Sequence, residues 1–224
     1  MQLFKLSTKL HRSETFAEFA KDFELNEHDL VLTNEFIYQP FMEKLGLPCR
    51  FVMQEKYGQG EPSDEMMNSI LRDLGGASFR RVIAIGGGTV IDIAKLFVIK
   101  DLTDVMDAFD HKIPLVKDRQ LVIVPTTCGT GSEVTNISIA EIKSRHTKMG
   151  LADDVIVADD AVIIPELLAG LPFRFYAASS IDALIHAVES YVSPKCNPYT
   201  RVFSVAAMDT IIDVFKKIAA TSPE

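Results

Sequence analysis

Three groups of residues in this chain have types and spacings suited to chemistry. The first is Gly86-Gly87-Gly88, which follows the apolar β-formers Val82, Ile83, Ala84 and Ile85 and precedes helix-like apolar spacing at Val90, Ile91, Ile93, Ala94, Phe97 and Val98. Strand, tight turn and helix is the reading. A glycine turn at a helix start lets backbone come close to a ligand, and the unbonded N–H groups of the first helical turn attract an anion such as a pyrophosphate. Thr89 would cap the helix and Asp92 would lie in its first turn. The spacing is not G-x-G-x-x-G, so the motif alone fits equally well a sharp turn in an α/β domain, with Asp92 and Lys95 as a surface i,i+3 pair.

The second group is Thr126–Thr135, TTCGTGSEVT, directly after the apolar strand Leu121–Pro125. Two small-residue loops at strand ends are what an open α/β sheet uses to line a ligand crevice. The hydroxyls of Thr126, Thr127, Thr130 and Ser132 could bind phosphate or ribose, or could satisfy one another within a turn. The third group is Asp182 and His186, four apart on one helical face within IDALIHAVESY and surrounded by apolar residues. A buried carboxylate beside an imidazole is costly unless paired or bound to a metal, so the pair reads either as an ordinary i,i+4 hydrogen bond or as two metal ligands.

The elements that must position these residues alternate between strand and helix. An entry strand is expected near Gln2–Leu6, then a helix over Glu14–Phe23, a strand at Asp29–Thr33, a helix over Glu35–Leu45 and a strand at Cys49–Met53. Tyr57–Pro62 is a loop, Ser63 caps a helix running to about Asp73, and Gly75-Gly76 ends it. After a less regular stretch, Asp101–Asp118, and the strand LVIVP, a hairpin is expected from Asn136–Ile142 and Lys148–Leu151, with Lys143, Arg145 and Lys148 as a small basic cluster. Val155–Ile164 supplies one more strand-like run, and Pro165 opens a short helix. From Gly170-Leu171-Pro172 onward only helical spacing remains, so a boundary is placed near residue 170, and Asn197-Pro198 opens the last helix over Tyr199–Ala220.

Composition narrows the function classes. A length of 224 residues allows a sizeable core, and a net charge of -8 argues against a nucleic-acid partner or an anionic membrane surface. Cys49, Cys128 and Cys196 are odd in number and far apart, so neither a disulfide framework nor a thiolate zinc site is expected, and a reducing cytoplasm is the default. The N-terminus has no signal-peptide core, and no stretch approaches a membrane span.

Taken together and in this order, IAIGGGTVIDIAK at Ile83–Lys95, VPTTCGTGSEVT at Val124–Thr135 and LPFRF with SSIDALIHAVESYVSP ending at Pro194 resemble the iron-dependent, or group III, alcohol dehydrogenase family over nearly the whole chain. The resemblance implies an α/β fold with an open, mainly parallel, dehydroquinate synthase-like sheet and flanking helices over residues 1–170. That domain would bind NAD, with NADP possible, and residues 171–224 would begin an all-helical metal domain, with the active site in the cleft. Position by position, it implies that Gly87, Gly88 and Thr89 hold the pyrophosphate, that Thr126, Thr127, Thr130 and Lys148 line the rest of the cofactor, and that Asp182 and His186 are two of four ligands to Fe2+, with Zn2+ possible. Where the family carries an aspartate after its second strand, this chain has Asn34 followed by Glu35, which leaves NAD and NADP both open.

The implied reaction is hydride transfer between the nicotinamide and a small alcohol or aldehyde polarised by the metal. Residues 31–36, 54–66 and 128–141 most resemble the family members acting on 4-hydroxybutyrate and succinic semialdehyde, a substrate whose carboxylate calls for a cation. The resemblance also implies a homo-oligomer. The family's other two metal ligands are histidines farther along, whereas the histidines here are His11, His28, His111, His146 and His186, so the chain by itself is expected to lack turnover. Two competing readings are a dehydroquinate synthase-like lyase, against which PTTCGTGSEVT weighs, and a non-catalytic nucleotide-binding or assembly module whose apolar helix faces meet another chain.

Overall fold

The computed structural model describes residues 3–221. These sort into two compact units, one formed by Ser7–Thr126 and Ser132–Gly170, the other gathering the chain up to Leu6, Thr127–Gly131 and the chain from Leu171 onward.

The first unit runs β1 (Lys9–Arg12), α1 (Phe16–Asp22), β2 (Asp29–Thr33), α2 (Glu35–Phe41), β3 (Arg50–Met53), α3 (Asp64–Leu74), β4 (Arg81–Gly86), α4 (Gly88–Leu96), α5 (Val105–Phe109), β5 (Gln120–Pro125), β6 (Ile137–Ile142), β7 (Thr147–Ala152), β8 (Asp160–Ile163) and α6 (Pro165–Leu168). Six strands make one sheet in the order β1-β8-β5-β4-β2-β3, every neighbouring pair parallel. β6 and β7 form a separate antiparallel hairpin. A parallel sheet is covered on both faces, which is why β2, β4 and β5 read as unbroken apolar runs and are buried almost throughout. The period of two then sorts their side chains into two cores. Leu30, Leu32, Val82, Ala84, Leu121 and Ile123 pack with α3, α4, α5 and the hairpin. Val31, Ile83, Ile85, Val122 and Val124 face α1, α2 and α6 through Phe16, Phe19, Ile37 and Leu167.

Caps fix where the helices begin. Thr15 and Glu18 form a reciprocal capping box on α1, Ser63 accepts from the Met66 amide to start α3, and Gly75 ends it in a left-handed conformation. The less regular stretch 101–118 contains α5, capped by Asp104.

Two expectations for this unit shift. The entry strand near Gln2–Leu6 is absent: Gln2 lies outside the described residues, residues 3–6 have no regular structure, and the first strand is Lys9–Arg12, an edge strand pairing with β8. Its polar sequence suits an edge, where His11 meets Asp160 at 2.8 Å. The run Val155–Ile164 divides into a single 3-10 turn at Asp154–Ile156 and the strand β8.

The second unit is a helical hairpin, α7 (Phe173–Val192) and α8 (Pro198–Thr221), joined by a short loop. Asn197 caps α8, its Oδ1 accepting from the amides of Tyr199 and Thr200. The apolar residues that suggested an entry strand belong here: the Phe4 ring stacks on Phe203 at 5.3 Å and on Tyr199 at 6.3 Å.

Candidate functional site

Sheet topology places one crevice before any side chain is considered. From β2 the chain steps to β3 on one side, and from β4 it steps to β5 on the other, so the order reverses between β2 and β4. Ligands of open α/β sheets sit outside the carboxyl ends of the strands at such a reversal. The register brings Leu32 level with Ala84 and Gly86 level with Pro125, so Asn34, the glycine turn and Thr126 follow one another along this edge.

Each glycine of the turn has its own reason. A Cβ on Gly86 would lie 2.7 Å from the Val90 side chain, so the first glycine is demanded by packing of the turn against its own helix. Gly87 is the N-cap of α4 and makes no side-chain cap, and a Cβ on Gly88 would meet nothing within 4 Å. The start of α4 is therefore bare, with its first-turn N–H groups directed outward. Thr126 locks the turn from the neighbouring strand, its amide donating to the Gly86 carbonyl at 3.1 Å.

Thr89 does not cap α4, and Asp92 lies beyond its first turn. The Thr89 hydroxyl donates to the Gly60 carbonyl at 2.9 Å, and Lys148, on β7, donates to Glu61 at 2.7 Å. The loop Tyr57–Pro62 thus ties Thr89 and Lys148 together. The basic cluster at the hairpin tip is neutralised residue by residue: Lys143 pairs with Glu65, and Arg145 grips Asp110 through two nitrogens at 2.7 Å each, holding the Asp110 carboxyl down at about 2.

Asp92 and Lys95 are not a surface pair. Lys95 is 0% exposed and donates to Thr135 Oγ1 at 2.9 Å and to the Ile137 carbonyl at 2.6 Å, with Asp92 at 3.8 Å. Burial lowers its pKa to about 8, against the opposing pull of Asp92 and Glu133. Burial also raises the Asp92 carboxyl, offset by Lys95 and by the Ile139 amide that donates to it.

In the helical unit, Thr127–Gly131 lies along α7. Cys128 Sγ is 3.0 Å from Ser179 Oγ and 3.1 Å from Ser180 Oγ, and a Cβ on Gly129 would fall 2.5 Å from that of Ala183. Gly129 has φ +90°, so both conformation and space require glycine. Thr127 and Thr130 flank this contact. Asp182 and His186 share a face as their spacing requires, Nδ1 to Oδ2 at 3.8 Å, but their side chains are 50% and 54% exposed rather than enclosed by apolar neighbours. The helix buries Ser180, Ala183 and Ala187 instead, which leaves the acid and the imidazole on an open face. At 3.8 Å the two groups are in contact but beyond hydrogen-bond length. Among the described residues, no three His, Cys, Asp or Glu side chains converge as a metal set.

A family model described as iron-containing alcohol dehydrogenase matches residues 8–165, and one for the C-terminal part of that family matches residues 176–223. The chain belongs to the iron-containing alcohol dehydrogenase family. Within it, the chain is 53% identical over 218 residues to 4-hydroxybutyrate dehydrogenase of Clostridium kluyveri, covering 97% of this chain and 59% of that protein. It is 32% identical to long-chain-alcohol dehydrogenase 1 of Geobacillus thermodenitrificans, over 88% of this chain and 52% of that protein. The chain thus spans little more than half the length of these curated relatives. By structure it is similar to sulfoacetaldehyde reductase from Bifidobacterium kashiwanohense in complex with NAD+, with a TM-score of 0.83 at 18% identity over 97% of this chain and 60% of that one. It is similar also to an iron-containing alcohol dehydrogenase from Thermotoga maritima, with a TM-score of 0.80 at 24% identity over 98% of this chain and 63% of that one. These two likenesses establish the fold.

Sequence reasoning on this member of the iron-containing alcohol dehydrogenase family did not single out Glu55, Gly60 or Glu61. The signal was present in QEKYGQGE, where acids and glycines interleave in a loop with no apolar period. What the sequence could not supply is the partner of each, since Thr89 and Lys148 lie on other elements.

Proposed function

We propose that this chain serves in a dehydrogenase moving hydride between NAD(H) and a small primary alcohol or aldehyde, with 4-hydroxybutyrate and succinic semialdehyde as the substrate pair. In this reading residues 1–170 bind the cofactor, and residues 171–224 contribute Asp182 and His186 as two ligands to Fe2+. The observation that carries the reading is the bare start of α4 at the sheet's reversal point, with Gly88 leaving room where a side chain would otherwise stand. Family membership and the 53% identity with the C. kluyveri 4-hydroxybutyrate dehydrogenase support the reaction and the substrate.

The first-turn amides of Gly88 and Thr89 bind the pyrophosphate, and Thr126 keeps the turn in shape through its bond to Gly86. Thr127, Thr130 and Lys148 line the remainder of the cofactor. Asp182 and His186 offer one carboxylate oxygen and one imidazole nitrogen from consecutive turns of one helix, a donor set that suits Fe2+ and is accepted by Zn2+. When bound, the metal supplies Lewis-acid polarisation of the substrate oxygen and the nicotinamide carries the hydride. The exposed apolar side chains of the hairpin, among them Phe173, Val192 and Val202, support association with further protein, here read as a homo-oligomer.

Titration of the purified chain with NADH, followed by nicotinamide fluorescence, tests the proposal against Gly88→Asp. An aspartate at the first helical position favours the helix and its Cβ meets nothing within 4 Å, so the variant is expected to keep its fold, yet its charge opposes a pyrophosphate. Saturable binding by the parent and at least roughly tenfold weaker binding by the variant, about 1.4 kcal/mol, is the expected result. A parent chain that does not saturate, or a variant that binds equally well, overturns it.

A further inference from the structure

The adenosine ribose is read at the carboxyl end of the strand beside the glycine turn, where a carboxylate accepts its hydroxyls and repels a 2′-phosphate. In this chain that strand is β2, and the residue after it is the uncharged Asn34, 9% exposed. The fold delivers a carboxylate to the same place from the next strand. Glu55, in the 3-10 turn Gln54–Tyr57 that follows β3, directs Oε2 to the Asn34 side-chain amide, which donates at 3.1 Å, and Oε1 to the Glu35 backbone amide, which donates at 2.6 Å. Asn34 is itself held by Gln54 Oε1 at 3.2 Å, and Gln54 Nε2 donates to the Gly58 carbonyl at 2.9 Å. The register that sets Leu32 opposite Ala84 brings Asn34 level with Gly86, so this carboxylate stands at the end of β2 alongside the glycine turn.

We infer that Glu55 is the residue that reads the cofactor's ribose hydroxyls and excludes NADP(H), taking the place of a carboxylate on β2. The inference rests on the nicotinamide reading proposed above. A carboxylate offers about four lone-pair sites, and the two bonds from Asn34 and Glu35 occupy two of them, which leaves acceptors for the ribose. Those same bonds fix the side chain before the nucleotide arrives, so little rotamer freedom is lost on binding. A 2′-phosphate carrying close to two negative charges would meet Glu55 head on. Asn34 then contributes as the donor that holds the acid, a part an aspartate could not play without adding a like charge beside it.

Glu55 also supplies the acceptor at the start of α2, where Asn34 makes no side-chain cap, and the experiment separates the two roles. NADH and NADPH are titrated against the parent chain and Glu55→Gln, with thermal melting recorded for both. The glutamine keeps an acceptor for the helix start and loses the charge. The parent should bind NADH at least tenfold more tightly than NADPH, and the variant should lose most of that ratio, chiefly through tighter NADPH binding. A parent that takes both equally, or a ratio unchanged by the substitution while the melting temperature falls, overturns the inference and leaves Glu55 a helix cap. Should the variant fail to fold, the parent's ratio measured from low to high salt decides instead. Screening of a like charge raises relative NADPH affinity with salt, and screening of an attractive one lowers it, which would overturn the inference. A parent binding neither nucleotide overturns the cofactor reading and this inference with it.

Discussion

Along the sequence Lys95 looks like the solvated end of an i,i+3 pair, and in the fold its ammonium is wholly buried between Thr135, the Ile137 carbonyl and Asp92. Helical spacing tells which residues are neighbours along α4, but not which carbonyls of a hairpin forty residues later will cover them. Its pKa of about 8 in the fold, against 10.5 for the free side chain, has a consequence for stability. Between those two values the unfolded chain holds a proton that the folded chain has released, so stability rises with pH across about 8 to 10.5 and the burial cost of the charge is borne in full below that window. The rise should be on the order of 3 kcal/mol. Cys49, raised by burial to about 11 from 9.0, works in the opposite direction, since above pH 9 the unfolded chain loses the thiol proton first. Comparing urea midpoints of the parent and Lys95→Met across this range isolates the lysine: the variant should lack its upward contribution and show only the decline. Identical pH profiles would mean that Lys95 is not buried as described.

At the level of elements, the loop after β5 looked in sequence like a small-residue turn with hydroxyls to spare, and the strand before it was legible as an apolar run. The lock between that loop and α7 was not, because it depends on a glycine two residues past a threonine meeting an alanine more than fifty positions away. Gly129 and Gly131 offer an internal control, since both have positive φ but only Gly129 is crowded. Gly131→Ala should cost about 1 kcal/mol of backbone strain. Gly129→Ala should cost distinctly more, roughly 2–4 kcal/mol, because Ala183 must also move. Thermal melts of the two single variants give the comparison, and equal losses would mean that the 2.5 Å approach is not maintained. The β1 shift teaches the same lesson from the other side: Leu3, Phe4 and Leu6 carry the apolar signal, yet Phe4 spends it on the rings of Tyr199 and Phe203, while the polar Lys9–Arg12 takes the edge of the sheet.

For the whole molecule, β2, β4 and β5 could be read directly because a strand covered on both faces has no other composition, and the glycine turn could be read because it follows the central one. Bonds between distant loops, such as Glu55 to Asn34 or Lys148 to Glu61, had no such signature. The two units also differ in how much they enclose. Among described residues α7 buries Ser180, Ala183 and Ala187 and α8 buries Ser204, whereas the strands of the sheet are buried almost end to end. Hydrogen exchange followed by mass spectrometry should therefore show the amides of α7 and α8 exchanging well before those of β4 and β5, and the reverse order would contradict this division of the core. One pairing carries a further consequence, for synthesis. β1 is hydrogen-bonded to β8, about 150 residues later. At roughly 5–20 residues per second a ribosome needs on the order of ten seconds or more to supply the partner. Through that interval β1 must wait with its backbone unpaired while β2 to β5 assemble ahead of it. Within this sheet, the β1–β8 edge can close only after every other strand has been made.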